Sequence, residues 1–106
     1  MMKVVKKEQK LYEALQFTNE SKDDIYAILS WYKCQKYPSF DDNNNPILLL
    51  QYGMSTDEVK ISFGDWIILD TDNNTVIEVL DDEKFNKKYM PMIDTNTFPN
   101  VEIVNL

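Results

Sequence analysis

Histidine and arginine are both absent from this chain, and all 11 of its cationic side chains are lysines. Without histidine, the commonest general acid–base and the commonest metal ligand are missing. Without arginine, no planar fork can hold a phosphate or a guanine edge through paired hydrogen bonds. Cys34 is the only cysteine, which excludes an internal disulfide and a thiolate zinc cluster. Two glycines and four prolines are too few for a linker or a low-complexity tract. The longest aliphatic run, residues 47–50, falls far short of the ~20 apolar residues that span a bilayer. The basic start, residues 1–10, is not followed by the apolar stretch of a signal peptide. The expected compartment is the cytoplasm, with no membrane partner and no cofactor.

A length of 106 residues with 43% apolar and 27% charged side chains suits one soluble domain. The expected division is a compact core over residues 1–89 and a tail over 90–106. Net charge is −7, and it is unevenly placed. Residues 1–10 carry Lys3, Lys6, Lys7 and Lys10 against Glu8, a sum of +3, which leaves −10 for the rest. Phosphate repels such a surface, so no direct nucleic-acid contact is expected. A basic protein surface is the better partner.

Alternation over residues 10–18 puts Leu11, Glu13, Leu15 and Phe17 on one face and Tyr12, Ala14 and Gln16 on the other, which predicts a strand. Ser21-Lys22-Asp23-Asp24 has the form of a capping box. Ile25, Ile28, Leu29 and Tyr32 follow at helical spacing, and Pro38 ends the pattern, so a helix is expected over about residues 21–36. Asp41-Asp42-Asn43-Asn44-Asn45-Pro46 reads as a loop and residues 47–52 as a central strand. Residues 58–63 alternate, Gly64-Asp65 breaks the pattern, and residues 66–69 resume it. Asp70-Thr71-Asp72-Asn73-Asn74-Thr75 predicts a hairpin turn, with a return strand over residues 76–80. Asp81-Asp82-Glu83 caps a short helix whose Phe85 and Tyr89, at i and i+4, can both face a sheet. Residues 101–106 suit an edge strand. The order β-α-β-β-β-α plus a tail implies an α+β domain, a small antiparallel sheet with helices packed on it.

Candidate sites are few. Asp70, Asp72, Asn74, Glu78 and Asp81 match positions 1, 3, 5, 9 and 12 of a calcium loop, but Thr75 stands where the sharp turn needs glycine. The flanks also read as strands rather than helices, so the stretch reads as a polar turn. Cys34 has no histidine to activate it and reads as a packed small residue. The carboxylates cluster in turns and caps, not in an apolar cleft that would raise a pKa for acid–base work. The chain is therefore expected not to be an enzyme. Trp31 and Tyr32 read first as core packing. A helix of this length cannot bury all its faces on one small sheet, so some of Tyr26, Trp31, Tyr32 and Tyr37 are expected to be exposed or covered by a partner, and tryptophan and tyrosine are enriched at interfaces.

Three motifs in order carry a resemblance. They are Glu13-Ala14-Leu15-Gln16-Phe17-Thr18, then Gly64-Asp65-Trp66-Ile67-Ile68, then Phe85 and Tyr89 on a closing helix. Over about residues 4–89 the chain resembles a widespread family of small phage and prophage proteins. That family usually has a glycine-rich hairpin ending in Glu-Phe/Tyr-x-Pro, where this chain has Asp72-Asn73-Asn74 and Val76-Ile77-Glu78-Val79. The tail after Met90 also runs past the family's usual end. The resemblance implies a phage-borne protein in a bacterial cytoplasm, and implies no activity.

Together these readings lead to one expectation. It is a phage-encoded, non-enzymatic protein that binds and inhibits or redirects a host protein with a basic, nucleic-acid-binding type of surface, as an anti-CRISPR or other anti-defence inhibitor would. Asp41, Asp42, Asp70, Asp72, Asp81, Asp82 and Glu83 would face host lysine and arginine, with Trp31 and Tyr37 as anchors. The alternative is a structural or assembly accessory that forms a homodimer through sheet edges. A small-ligand or metal sensor, supported only by the Asp/Asn loops, ranks third.

Overall fold

A computed structural model of the protein describes residues 11–91. Across them run β1 (Glu13–Gln16), α1 (Lys22–Leu29), β2 (Cys34–Phe40), β3 (Pro46–Tyr52), β4 (Val59–Ile61), β5 (Trp66–Asp70), β6 (Thr75–Leu80) and α2 (Asp82–Lys88). The fold is α+β, but the strands form two antiparallel sheets rather than one. Sheet A has the order β1-β5-β6 and sheet B the order β2-β3-β4. The anticipated edge strand at residues 101–106 lies outside the described residues.

The two sheets divide at a single turn. Residues 58–69 read as one interrupted strand, yet β4 belongs to sheet B and β5 to sheet A. Between them, the amides of Asp65 and Ser62 close on the Ser62 carbonyl (3.0 Å) and the Asp65 Oδ2 (2.8 Å) respectively. Gly64 sits at φ +99°, in the left-handed half of conformational space, and a Cβ there would meet nothing within 4 Å. Glycine is thus required by backbone angle rather than by room. The Phe17 amide donates to Asp65 O and Gly64 N donates to Phe17 O, each at 2.8 Å. The Gln16 side chain adds a bond to Gly64 O at 3.1 Å.

Immediately after this joint the chain starts its first helix. The expected box at Ser21 lies one turn earlier. Thr18 Oγ1 accepts from the Ser21 amide (3.0 Å), while Ser21 Oγ accepts from the Thr18 amide (2.9 Å). Ser21 Oγ also donates to Gln16 O at 2.6 Å, so its hydroxyl is committed to the turn before α1 and caps no α1 amide. Ile25 and Leu29 are buried, and the helix ends at Leu29 instead of near residue 36. The amides of Trp31 and Tyr32 bond back to Ile28 O and Leu29 O, three residues behind, and tighten the last turn.

Residues 34–40, the first three of them expected as the end of the helix, instead form β2. All seven pair with β3, from Cys34↔Tyr52 to Phe40↔Pro46. Two features explain the miss. Tyr32 sits at helical spacing from Ile28 and Leu29, although the helix has already ended. Pro38 looks like a helix stop, yet β2 is an edge strand, where a missing N–H breaks no ladder.

One core joins the layers. Leu48, Leu50 and Ile61 of sheet B meet Ile67, Leu69 and Val76 of sheet A, with Ile25 and Leu29 of α1 and with Phe17. The ring of Phe17 lies 5.4 Å from that of Phe63. A register shift between Ile68 and Leu69 pairs Leu69 with Val76 but Ile68 with Glu78, so Ile77 is an extra residue and bulges outward, 39% exposed. The other face of sheet A carries Ile68, also fully buried, beneath the second helix. Asp81 caps α2 as expected, accepting the Lys84 amide at 2.8 Å.

Two substitutions test this account. Leu50→Ala removes a fully buried side chain at the meeting of the sheets and should cost about 2–5 kcal/mol in urea unfolding. Gly64→Ala should cost about 1–2 kcal/mol from its backbone angle alone, with no change in the native contacts of Phe63 and Phe17 seen by NMR.

Candidate functional site

The anticipated contact residues fall into three separate places. Asp41 and Asp42 open the β2–β3 turn. There Asp41 Oδ1 accepts from the amides of Asn43 (2.9 Å) and Asn45 (2.8 Å), and Asn44 takes φ +65°. The Asn45 amide, helped by Asn43 and the Asn45 side chain, holds the Asp41 carboxyl below the usual range. This carboxylate builds the turn, while Asp42 beside it is exposed. Tyr37 lies in the middle of β2, 45% exposed, and its hydroxyl donates to Gln35 Oε1 at 2.8 Å.

Asp70 and Asp72 sit in the β5–β6 turn. Asp70 is buried, and its Oδ1 accepts the Asp72 amide (3.0 Å) while Oδ2 accepts the Asn73 side chain (2.8 Å). The Lys33 amide donates to Asn74 O at 2.8 Å, which ties the end of the first helix–strand connection to this turn. Trp31, two residues before Lys33, lies in the connection that this bond ties to the turn. It is 82% exposed, against the expectation of core packing, because the helix that was to bury it stops at Leu29. Tyr32 is half-buried and packs against the core.

Asp81, Asp82 and Glu83 lie at the other end of the same hairpin, roughly 15 Å away by strand rise. Here Asp82 Oδ1 accepts the Trp66 indole N–H at 2.9 Å. The Trp66 ring stacks on Phe85 with centroids 3.9 Å apart and planes 7° apart, and Phe85 stacks on Tyr89 at 5.6 Å. Tyr12, from the approach to β1, meets Tyr89 edge-on at 6.3 Å. Glu83 pairs with Lys87 on the exposed side of α2 at 3.0 Å.

Beside this aromatic row is a groove of about 380 Å³, floored by Ala14 and Ile68 and walled by Tyr12, Trp66, Phe85 and Tyr89. Sequence reasoning missed it as a site. Its signals were present, in the shared face of Tyr12 and Ala14 and in the i, i+4 pair Phe85 and Tyr89, but they read only as packing. Ile68 looked like any core residue of a strand.

A polar latch holds the far end of the row. Tyr89 donates its hydroxyl to Glu78 Oε2 in a short hydrogen bond, and Lys88 Nζ approaches the same oxygen at 2.8 Å. The Lys88 and Tyr89 donors hold the Glu78 carboxyl below its ordinary value. Burial, reinforced by the hydrogen bond to Glu78, pushes the Tyr89 hydroxyl far up, so it stays a donor. Cys34 is half-buried, and burial raises its thiol against a smaller opposing effect of Lys36, which leaves it a poor nucleophile near neutral pH. Glu78 and Asp81, two of the positions matching a calcium loop, are engaged by the latch and the α2 cap. Among the described residues no group of three or more carboxylate or thiol side chains is placed to hold a metal ion, and no helix is long and apolar enough to cross a membrane.

Comparison of the chain with protein-family models, with curated proteins and with solved structures finds no match.

The latch makes α2 docking acid-sensitive. Because the native Glu78 pKa lies below its unfolded value near 4.5, its stabilisation is complete above that pH and is lost as pH falls through the lower native value. In a Trp31→Phe background, Trp66 fluorescence should report loosening of α2 in that acid window. Glu78→Gln should weaken α2 docking at neutral pH and flatten this part of the acid profile.

Proposed function

We propose that the protein is a non-enzymatic binding protein that occupies the basic surface of another protein. The observation that carries this reading is Trp31, 82% exposed in the connection whose Lys33 amide is tied to Asn74 of the β5–β6 turn. The Trp31 amide is held by Ile28 O, so the ring projects from an ordered backbone, and tryptophan is among the residues enriched at the energetic centres of interfaces. The described residues carry seven lysines against fifteen carboxylates, a net charge of −8, which suits a partner rich in lysine and arginine.

In this reading the partner is a host protein, and the setting is the bacterial cytoplasm during phage infection, as the motif resemblance implies. Covering a nucleic-acid-binding surface would inhibit such a host protein without any chemistry, which is how an anti-CRISPR or other anti-defence inhibitor would act. The absence of histidine and arginine from the chain supports binding over catalysis.

The test is an affinity capture from a low-GC Gram-positive lysate at low and high salt, read by mass spectrometry, with Trp31→Ala run in parallel. A stoichiometric host protein that high salt releases is the expected outcome. Trp31→Ala should weaken its binding by about 2 kcal/mol, roughly thirtyfold, while changing folding stability by less than about 0.5 kcal/mol. Capture that is indifferent to both salt and Trp31 would overturn the proposal.

A further inference from the structure

We infer that the groove on the outer face of sheet A is a second contact site, which takes an extended, lysine- or arginine-bearing segment of a partner protein paired along β1. The inference rests on the reading of the protein as a binder of basic proteins, but concerns a different surface from Trp31.

Three observations carry it. The first is the treatment of the sheet edges. β2 carries Lys36 and Pro38, β4 has only three residues, and β6 is bent by the Ile77 bulge; each device discourages strand addition. β1, four residues long and bearing Glu13, has no lysine, proline or bulge, and among the described residues it has a neighbour on one side only, β5. The second is shape. A strand laid beside β1 would run about 4.8 Å from it, with alternate side chains on the face where Tyr12 and Ala14 line the groove. Ala14 is the small residue that leaves the space, and about 380 Å³ is enough for one or two aliphatic side chains. Backbone pairing with side-chain pockets at alternate positions is how strand addition combines affinity with selectivity. The third is charge. Asp82, whose Oδ1 accepts the Trp66 indole N–H, stands where α2 begins beside the groove, in a body whose net charge is −8. An apolar segment flanked by cations complements both the rings and this charge.

The experiment uses the full chain with Trp31→Phe, so that Trp66 in the groove wall is the only indole. The probe is an alternating leucine–lysine heptapeptide, with a leucine–glutamate heptapeptide as the control. The expected result is a saturable change in Trp66 emission with the lysine peptide, weakened by salt and absent with the glutamate peptide. Protection from hydrogen exchange should rise in β1. Ala14→Phe, which fills the floor without altering charge, should weaken binding at least about tenfold while the melting transition remains cooperative. Equal response to both peptides, no response to the lysine peptide, or protection confined to other strands would overturn the inference. So would a dimer of the Trp31→Phe chain that Ala14→Phe dissociates, since the occupant would then be a second copy, and so would lysine-peptide binding that appears only after residues 92–106 are removed. Peptide binding together with host capture indifferent to salt and to Trp31 would overturn only the Trp31 reading; salt-released host capture without peptide binding would overturn only the groove.

Discussion

The exchange of backbone hydrogen bonds between Phe17 and the Gly64–Asp65 turn is the constraint on which the other elements depend. It aligns β1 with β5, so that Gln16 stands opposite Trp66 and Leu15 opposite Ile67. It places the Phe17 ring in the core and the Thr18–Ser21 box directly after it, which sets where α1 starts. It also holds the turn at which the chain leaves sheet B for sheet A. Two motifs almost fifty residues apart in sequence are therefore one joint in space. A half-buried joint of this kind tolerates little error, because its backbone groups are only partly open to water as an alternative partner.

The distribution of polar side chains explains how an acidic chain of this size packs without strain. Asp41, Asp65 and Asp70 spend their oxygens on turn amides, and Asp81 does so on a helix cap. Glu78 and Asp82 hold α2 to the sheet at its two ends. These groups shape the molecule, and their value as contact residues is reduced accordingly. Trp31 serves no such purpose. Among the described residues Tyr26 carries a cost, since its buried hydroxyl has no hydrogen-bond partner.

Legibility followed the physics of each segment. β3, β5, β6 and α2 were readable because an apolar run, a polar turn and a cap each give an unambiguous local signal. β2 was not, because Tyr32 continued a helical pattern past the true end of α1 and Pro38 mimicked a helix stop. The division into two sheets was invisible, since it depends on the Phe17 joint, a contact between distant residues. For the candidate site the residue types were legible and their arrangement was not. Trp31 suits either an interface or the core on sequence grounds, and only the early end of α1 excludes the core. The groove was hidden because Ala14 and Ile68 mean nothing until α2 lies over one and beside the other.

The topology also orders the events of folding. β2, β3 and β4 follow one another in the chain and pair with their neighbours, and β5 and β6 form a hairpin. Each of these units closes loops of only a few residues. β1 is different, since its partner β5 lies about fifty residues further along, and all of sheet B intervenes. Its pairing carries the largest loop-closure entropy among the described strands, so it is rewarded only once the rest is nearly in place. Until β1 arrives, the side of β5 that it covers is an open edge, and chains at high concentration can meet there. The four residues of β1 thus also act as the cover of an edge that would otherwise be open to the β5 of another molecule.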